Sequence, residues 1–282
     1  MGGAVNVPAR PILRYHGGKF RLAQWIIEHF PPHRIYVEPF GGAGSVLLSK
    51  PRSYQDVYND LDGEVVNLFR VTRDRGDDVV RALELTPFSR DEFTLSYEPS
   101  GDPIERARRL VVRSFMGHGS NSHNRTTGFR RHSRQSGTSP CRDWHNYPPA
   151  LVEIIERLQG CVIENRDAFG LICEQDSPET LFYLDPPYVA STRDKGTDYR
   201  FELTDEQHRE LAELLRGVRG MVVLSGYRSA LYDELYASWH HVDCATMADG
   251  ARARVETLWI NPACSAALSC ARAQRPLDLE VA

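Results

Sequence analysis

The sequence predicts an α/β fold with a largely parallel sheet. Three observations carry this reading. Short apolar runs bounded by turn residues alternate with stretches of helical spacing. One such run ends in a glycine-rich turn that opens into a helical stretch, the strand–turn–helix order of parallel α/β units. Two strand-like runs close the pattern near the C-terminal end.

Taken in order, Phe20 to Phe30 has helical apolar spacing and stops at Pro31-Pro32. Arg34 to Pro39 reads as a strand and runs into Phe40-Gly41-Gly42-Ala43-Gly44-Ser45, followed by a helical stretch through Leu48. Gln55 to Asn59 is a second strand and Leu61 to Arg75 a helix. Beyond Pro99 the alternation weakens. Ile104 to Met116 is helical, then Gly117 to Trp144 is polar, rich in Gly, Ser, Asn and Arg, and reads as a long loop. Pattern returns with a helix at Pro149 to Leu158 and strands at Cys161 to Glu164 and Thr180 to Leu184. Thr204 to Arg216 is a helix whose Thr204 and Gln207 have capping-box spacing. Met221 to Ser225 is a buried-type strand, and His240 to Thr246 and Glu256 to Asn261 are the closing strands. From about Ser265 the tail is small and polar and is expected to fray. No internal repeat is visible.

A length of 282 residues with 41% hydrophobic residues allows one large domain, or a catalytic domain with a smaller insert. No apolar run approaches a membrane span and the N-terminus lacks a signal-peptide core, so a cytoplasmic protein is expected. The six cysteines form no CxxC pair and no His/Cys cluster has zinc spacing, so neither disulfides nor a metal is expected. His118, His123, His132 and His145 read as polar surface or phosphate contacts. Net charge is −4, yet from Arg106 to Arg142 there are nine arginines and no Asp or Glu, in a chain holding 38 acids. A local basic stretch of this kind is the footprint of polyanion binding. The contacting set is expected to be Arg125, Arg130, Arg131 and Arg134, around Gly128-Phe129.

Chemistry concentrates at strand ends. The first strand ends in Glu38-Pro39-Phe40, and Gly41, Gly42 and Gly44 then let a ligand approach the backbone closely. The second strand ends in Asn59-Asp60, where an acid is placed to accept hydrogen bonds from ribose hydroxyls. Together these favour a nucleoside-containing cofactor without separating S-adenosylmethionine (SAM) from a nicotinamide dinucleotide. Asp185-Pro186-Pro187-Tyr188 follows the apolar strand Leu181 to Leu184 and separates them. The exocyclic N6 amine of adenine is a poor nucleophile, because its lone pair is delocalised into the ring. An enzyme that alkylates it must accept hydrogen bonds from it as positive charge develops. The Asp185 carboxylate and the Pro186 carbonyl, stiffened by two prolines, supply acceptors, and Tyr188 offers a face for stacking on an extruded base.

These residues resemble the motifs of the Dam-type adenine-N6 DNA methyltransferases (group alpha, D12 class), over about Leu13 to Pro262. Arg14-Tyr15-His16-Gly17-Gly18-Lys19 is similar to the family's N-terminal motif, Glu38 to Val46 to its SAM loop, Asn59-Asp60 to its ribose motif, and Asp185 to Tyr188 to its catalytic motif. Gly250 to Pro262, with Arg252, Arg254 and Glu256, looks like its closing hairpin. The resemblance implies a Rossmann-like SAM-dependent methyltransferase sheet formed by residues 10–85 and 160–264. A largely helical and loop-rich target-recognition domain is inserted at 86–159, and a tail follows at 265–282. It implies that Tyr15, Lys19, Glu38, Pro39, Phe40, Gly41, Gly42, Gly44, Ser45, Asp60, Asp167 and Asp185 surround SAM. Asp185, Pro186 and Tyr188 would be catalytic, and Arg14 would reach double-stranded DNA. Family members that read GATC carry an Asn/Arg/Tyr pattern that residues 117–147 do not show. RNA adenine or cytosine-N4 methylation, a DNA-binding module without turnover, and a dehydrogenase are the competing readings. The sequence leaves oligomeric state open.

Overall fold

A computed structural model describes residues 8–119, 121–123, 125–131, 138–192, 200–248 and 252–274. Among them, seven strands form one sheet: β1 (Ile35–Glu38), β2 (Gln55–Asn59), β3 (Cys161–Glu164), β4 (Thr180–Leu184), β5 (Met221–Gly226), β6 (His240–Ala248) and β7 (Arg252–Ile260). The spatial order is β3-β2-β1-β4-β5-β7-β6. The first five are mutually parallel, and β7 runs antiparallel between β5 and β6. The mixed α/β class with a mostly parallel sheet is therefore as the sequence predicts.

Helices cover both faces. α1 (Ala23–Ile27), α2 (Ser45–Ser49), α3 (Gly63–Asp74) and α4 (Gly76–Glu84) lie on one side. The same core includes residues of α5 (Arg90–Leu95), α6 (Pro103–Met116), α7 (Pro140–His145) and α8 (Tyr147–Leu158). The opposite core takes α9 (Ala168–Gln175), α10 (Asp205–Gly217) and α11 (Ala230–Leu235). The period-2 alternation of a strand assigns side chains to the two cores. Tyr36, Leu181, Tyr183 and Val223 point to the first, and Val37, Phe182, Leu184 and Leu224 to the second. Every residue of β4 and β5 is buried, the pattern of parallel strands covered on both faces.

The structure departs from the sequence reading in several places: β7 starts at Arg252 rather than Glu256, and α4, α5, α9 and α11 are additional helices. Residues 117–144 are not all loop: Pro140 at the first turn starts α7. The chain also does not fray at Ser265. Asn261 caps the Cys264 amide and opens α12 (Pro262–Ala273), whose Ala267 and Leu268 rest on the first core. Proline at its first turn and alanine within it both favour the helix. The capping box on α10 is present as expected.

Between β1 and β4 the order of connection reverses, so the carboxyl ends of these neighbouring strands bound a crevice, the usual ligand position in open α/β sheets. The glycine turn after β1 and Asp185 after β4 meet there. Asn59 fixes the third edge. Its amide donates to the carbonyls of Pro39 and Arg166 at 2.9 and 3.1 Å, and its oxygen accepts from Arg166 N–H at 3.1 Å.

Candidate active site

The glycine turn is shaped by what lies beneath it. Gly42 and Gly44 have φ of 49° and 59°, the left-handed region that favours glycine. A Cβ on Gly41 would lie 2.2 Å from the Tyr58 ring, and one on Gly42 would lie 2.9 Å from Tyr15. The turn is tied to β2 at both backbone atoms of Gly42. Its N–H donates to Asp60 at 2.7 Å, and its carbonyl accepts from the Tyr58 hydroxyl at 2.7 Å. The other Asp60 oxygen accepts from the Asp62 amide at 2.7 Å. Burial pushes the Asp60 carboxyl up to about 6, against these amide bonds, which pull it down.

Glu38 also lines the cavity, but its carboxylate is turned beneath the turn. It accepts from the Tyr36 hydroxyl at 2.7 Å and the Leu47 amide at 2.9 Å. Burial pushes it up to about 8, with both donors opposing. Its work in this geometry is to hold the turn onto α2.

At the end of β4, the Lys19 ammonium bonds both Asp185 oxygens at 2.9 Å and the Gly17 carbonyl at 2.9 Å. The Ser225 hydroxyl at the end of β5 donates to Asp185 at 2.9 Å and pairs with the Tyr183 hydroxyl at 3.0 Å. Glu256 of β7 completes the cluster, 3.6 Å from Lys19 and accepting from the Tyr188 hydroxyl at 2.5 Å. Lys19 reaches this point because its segment is pinned to the helical layer. Arg14 exchanges backbone bonds with the Ser114 hydroxyl at 2.8 and 3.1 Å, and the Tyr147 hydroxyl donates to the Ile12 carbonyl at 2.6 Å.

One cavity of about 480 Å³ joins these parts, from Asp60 and the glycine turn to Lys19 and Asp185. Tyr15, stacked on His123 at 4.3 Å, lines it, as do Asp167, Phe169 and Phe201. Its volume suits a nucleoside-sized ligand. A nucleoside would meet carboxylates at Asp60 and Asp167, although the latter also caps Gly170 N–H at 2.8 Å. Pro187 lines this cavity and Pro186 is buried beside it.

The model of D12 class N6 adenine-specific DNA methyltransferases matches residues 15–248. The chain belongs to this family. It is 27% identical to the DNA adenine methylase of Salmonella typhi over 249 residues, covering 80% of this chain and 84% of that one. The DNA adenine methylase of Escherichia coli K12 is 26% identical over 243 residues, with the same coverage. That of Serratia marcescens is 35% identical over 113 residues, 38% of this chain and 41% of that one.

For a DNA methyltransferase, the placement of the remaining expected residues matters. Tyr188 is buried rather than open: its ring lies 4.8 Å from the Lys19 ammonium and edge-on to Tyr227 at 4.6 Å. The arginine stretch is acid-free in sequence but not in space. Arg106 pairs with Glu64, Arg108 with Glu92 and Glu105, and Arg109 with Glu105. Arg130 pairs with Asp143 at 2.7 Å. Glu105 and Asp143 border the window and Glu64 and Glu92 reach it across packed helices, so the stretch is partly neutralised and does not need a polyanion to offset all nine charges. Arg125, Arg131 and Arg142 are the exposed members among the described residues, and Arg14 is half-buried. Arg134 lies outside the described residues. Among the described residues no cluster of three His, Cys, Asp or Glu could hold a metal, and no helix is long and apolar enough to cross a membrane.

The sequence points to no site role for Ser225 or Tyr227, places Glu256 only in the closing hairpin, and reads His123 as polar surface or a phosphate contact. Ser225 carries a usable signal: a polar residue ending an apolar strand. His123 carries none, because its stack on Tyr15 joins segments that sequence distance does not connect.

Proposed function

We propose that this methyltransferase is a cytoplasmic enzyme that takes its methyl group from SAM in the cavity over the glycine turn and delivers it to N6 of an adenine turned out of duplex DNA. The observation that carries the reading is that Asp60 and Asp185 line one and the same cavity. Asp60 would hold the ribose hydroxyls, Asp167 and Phe169 would flank the cofactor base, and the glycine turn would admit the chain between them. When bound, SAM supplies a methyl group already activated on a sulfonium.

Asp185 then accepts a hydrogen bond from the target amine, with the Pro186 carbonyl as a second acceptor. Positive charge grows on N6 as the new bond forms, and a carboxylate held in place by Ser225 stabilises it without having to reorganise. Tyr188 serves the extruded base after Tyr227 or Lys19 shifts from its ring. Residues 86–159 act as the target-recognition region, with Arg14, Arg125, Arg131 and Arg134 on the DNA backbone or base edges and Arg130 braced against Asp143. Transfer of tritium from methyl-labelled SAM to duplex DNA, with RNA in parallel, tests this. Label on N6 of adenine in DNA is the expected result. Label in RNA alone, or on cytosine, overturns it.

A further inference from the structure

We propose that Glu256 is a positioning residue that takes up the charge of Lys19, so that the charge of Asp185 stays available to the target amine. This rests on the reading of Asp185 as the acceptor for that amine. The Lys19 ammonium sits between two carboxylates, 2.9 Å from Asp185 and 3.6 Å from Glu256. Glu256 is buried on β7, and the Tyr188 hydroxyl at 2.5 Å holds it in place.

The charges explain why a second carboxylate is needed. A lysine bonded to both oxygens of Asp185 cancels the charge that an alkylated amine requires. It also places an ammonium against the amine as that amine becomes cationic. With Glu256 ionised, one ammonium faces two carboxylates and the cluster keeps one net negative charge. Lys19 then exchanges its nearer carboxylate for the farther one as the adenine arrives. A buried carboxylate is costly unless paired, so an acid placed here for packing alone would be a poor choice. Glu256 faces Lys19 from the N-terminal segment, Asp185 and Tyr188 from beyond β4, and Tyr227 and Arg254 lie alongside. Burial raises its carboxyl above the ordinary range, with Lys19 opposing.

Glu256→Gln keeps the shape and the acceptor for Tyr188 and removes only the charge. SAM affinity by calorimetry should be unchanged. The single-turnover rate of methyl transfer should fall about tenfold or more, less than the roughly 10²–10³ for loss of a direct contact to a developing charge, because Glu256 acts through Lys19. With SAM saturating, so that Asp60 titration does not contribute, the wild-type rate should show an acid limb above the ordinary carboxylate range, absent from Glu256→Gln, and Glu256→Asp should recover part of the rate. A normal rate in Glu256→Gln beside an inactive Asp185→Ala overturns the proposal and leaves the reading of Asp185 standing. An active Asp185→Ala overturns that reading itself. If Glu256→Gln does not fold, the wild-type profile still decides: an acid limb confined to the ordinary carboxylate range overturns the proposal.

Discussion

The ammonium of Lys19 bonds both carboxylate oxygens of Asp185 at 2.9 Å across a separation of 166 residues. The pair ties the N-terminal Arg14–Lys19 motif to the Asp185–Tyr188 motif over the crevice between β1 and β4. It also means that the Asp185 carboxylate, proposed above as the acceptor for the target amine, is held in place before any substrate arrives, by Lys19 on both oxygens and Ser225 on one.

Asp185→Ala is expected to abolish methyl transfer, with a loss on the order of 10²–10³ or more, because the acceptor for the developing charge is gone. The fold should survive. Lys19 keeps the Gly17 carbonyl at 2.9 Å and Glu256 at 3.6 Å, so the substitution does not strand a buried cation. Near-normal turnover on DNA by a folded Asp185→Ala protein would show that the chemistry is carried elsewhere.

Asp60→Ala should weaken SAM binding by about 1–3 kcal/mol, the range for a charge-assisted hydrogen bond. The pH dependence has two opposite signs. The Asp60 carboxyl is raised to about 6 in the fold, so its contribution to stability is present at low pH and is lost as pH rises through about 6. The ionised form is the better ribose acceptor, so SAM affinity should rise over the same interval. Asp60→Asn should flatten that rise. Calorimetric titrations across this range that show parallel profiles for both proteins would remove Asp60 from the site.

Much of this site was legible because its motifs sit at strand ends, where apolar runs stop at Pro, Gly, Asn or Asp. Gln55 to Asn59, Cys161 to Glu164 and Thr180 to Leu184 were readable to the residue for that reason. Side-chain direction was not legible. Glu38 belongs to the glycine motif, yet its carboxylate faces Tyr36 and Leu47. Charge was legible only locally: Glu64 and Glu92 neutralise arginines that are far from them in sequence but adjacent across packed helices. Helix α12 was missed because small and polar residues suggest a tail, whereas one side-chain cap at Asn261 and a face resting on the core are enough to order it.

Asp56→Ala should lower stability by about 3–5 kcal/mol in denaturant unfolding, because it leaves buried cations without a counter-charge. Asp56 accepts from Lys50 at 2.9 Å and pairs with Arg157 at 2.8 Å, and all three side chains are at most 3% exposed. Burial alone would raise the Asp56 carboxyl, but Lys50 and Arg157 together hold it below its ordinary value. That contribution to stability is therefore present above the ordinary carboxylate range and is lost as pH falls through the lowered value. The network joins the end of α2, β2 and α8, away from the cavity, so SAM affinity per folded molecule should not change. A variant as stable as the wild type would mean that water or rearrangement satisfies both cations.

The arginines divide by exposure, and DNA binding should divide with them. Arg130 is committed to Asp143, and Arg10 shares that acid. Arg125 and Arg131 are exposed, within the stretch assigned to DNA. Each phosphate neutralised contributes roughly −0.9 to the log–log slope of affinity against salt. Replacing Arg125 and Arg131 together by Ala should therefore flatten the slope by roughly 1.8 if each contacts one phosphate. Affinity should fall most at low salt, and SAM binding should be unchanged. Arg130→Ala should act through the fold, lowering stability with a smaller change in slope, because it breaks a half-buried ion pair rather than a phosphate contact. Fluorescence anisotropy on one duplex at several salt concentrations measures all three proteins. An unchanged slope in the Arg125/Arg131 double variant would place the DNA-binding surface elsewhere. A slope lowered equally by Arg130→Ala would mean that Asp143 releases Arg130 when DNA binds.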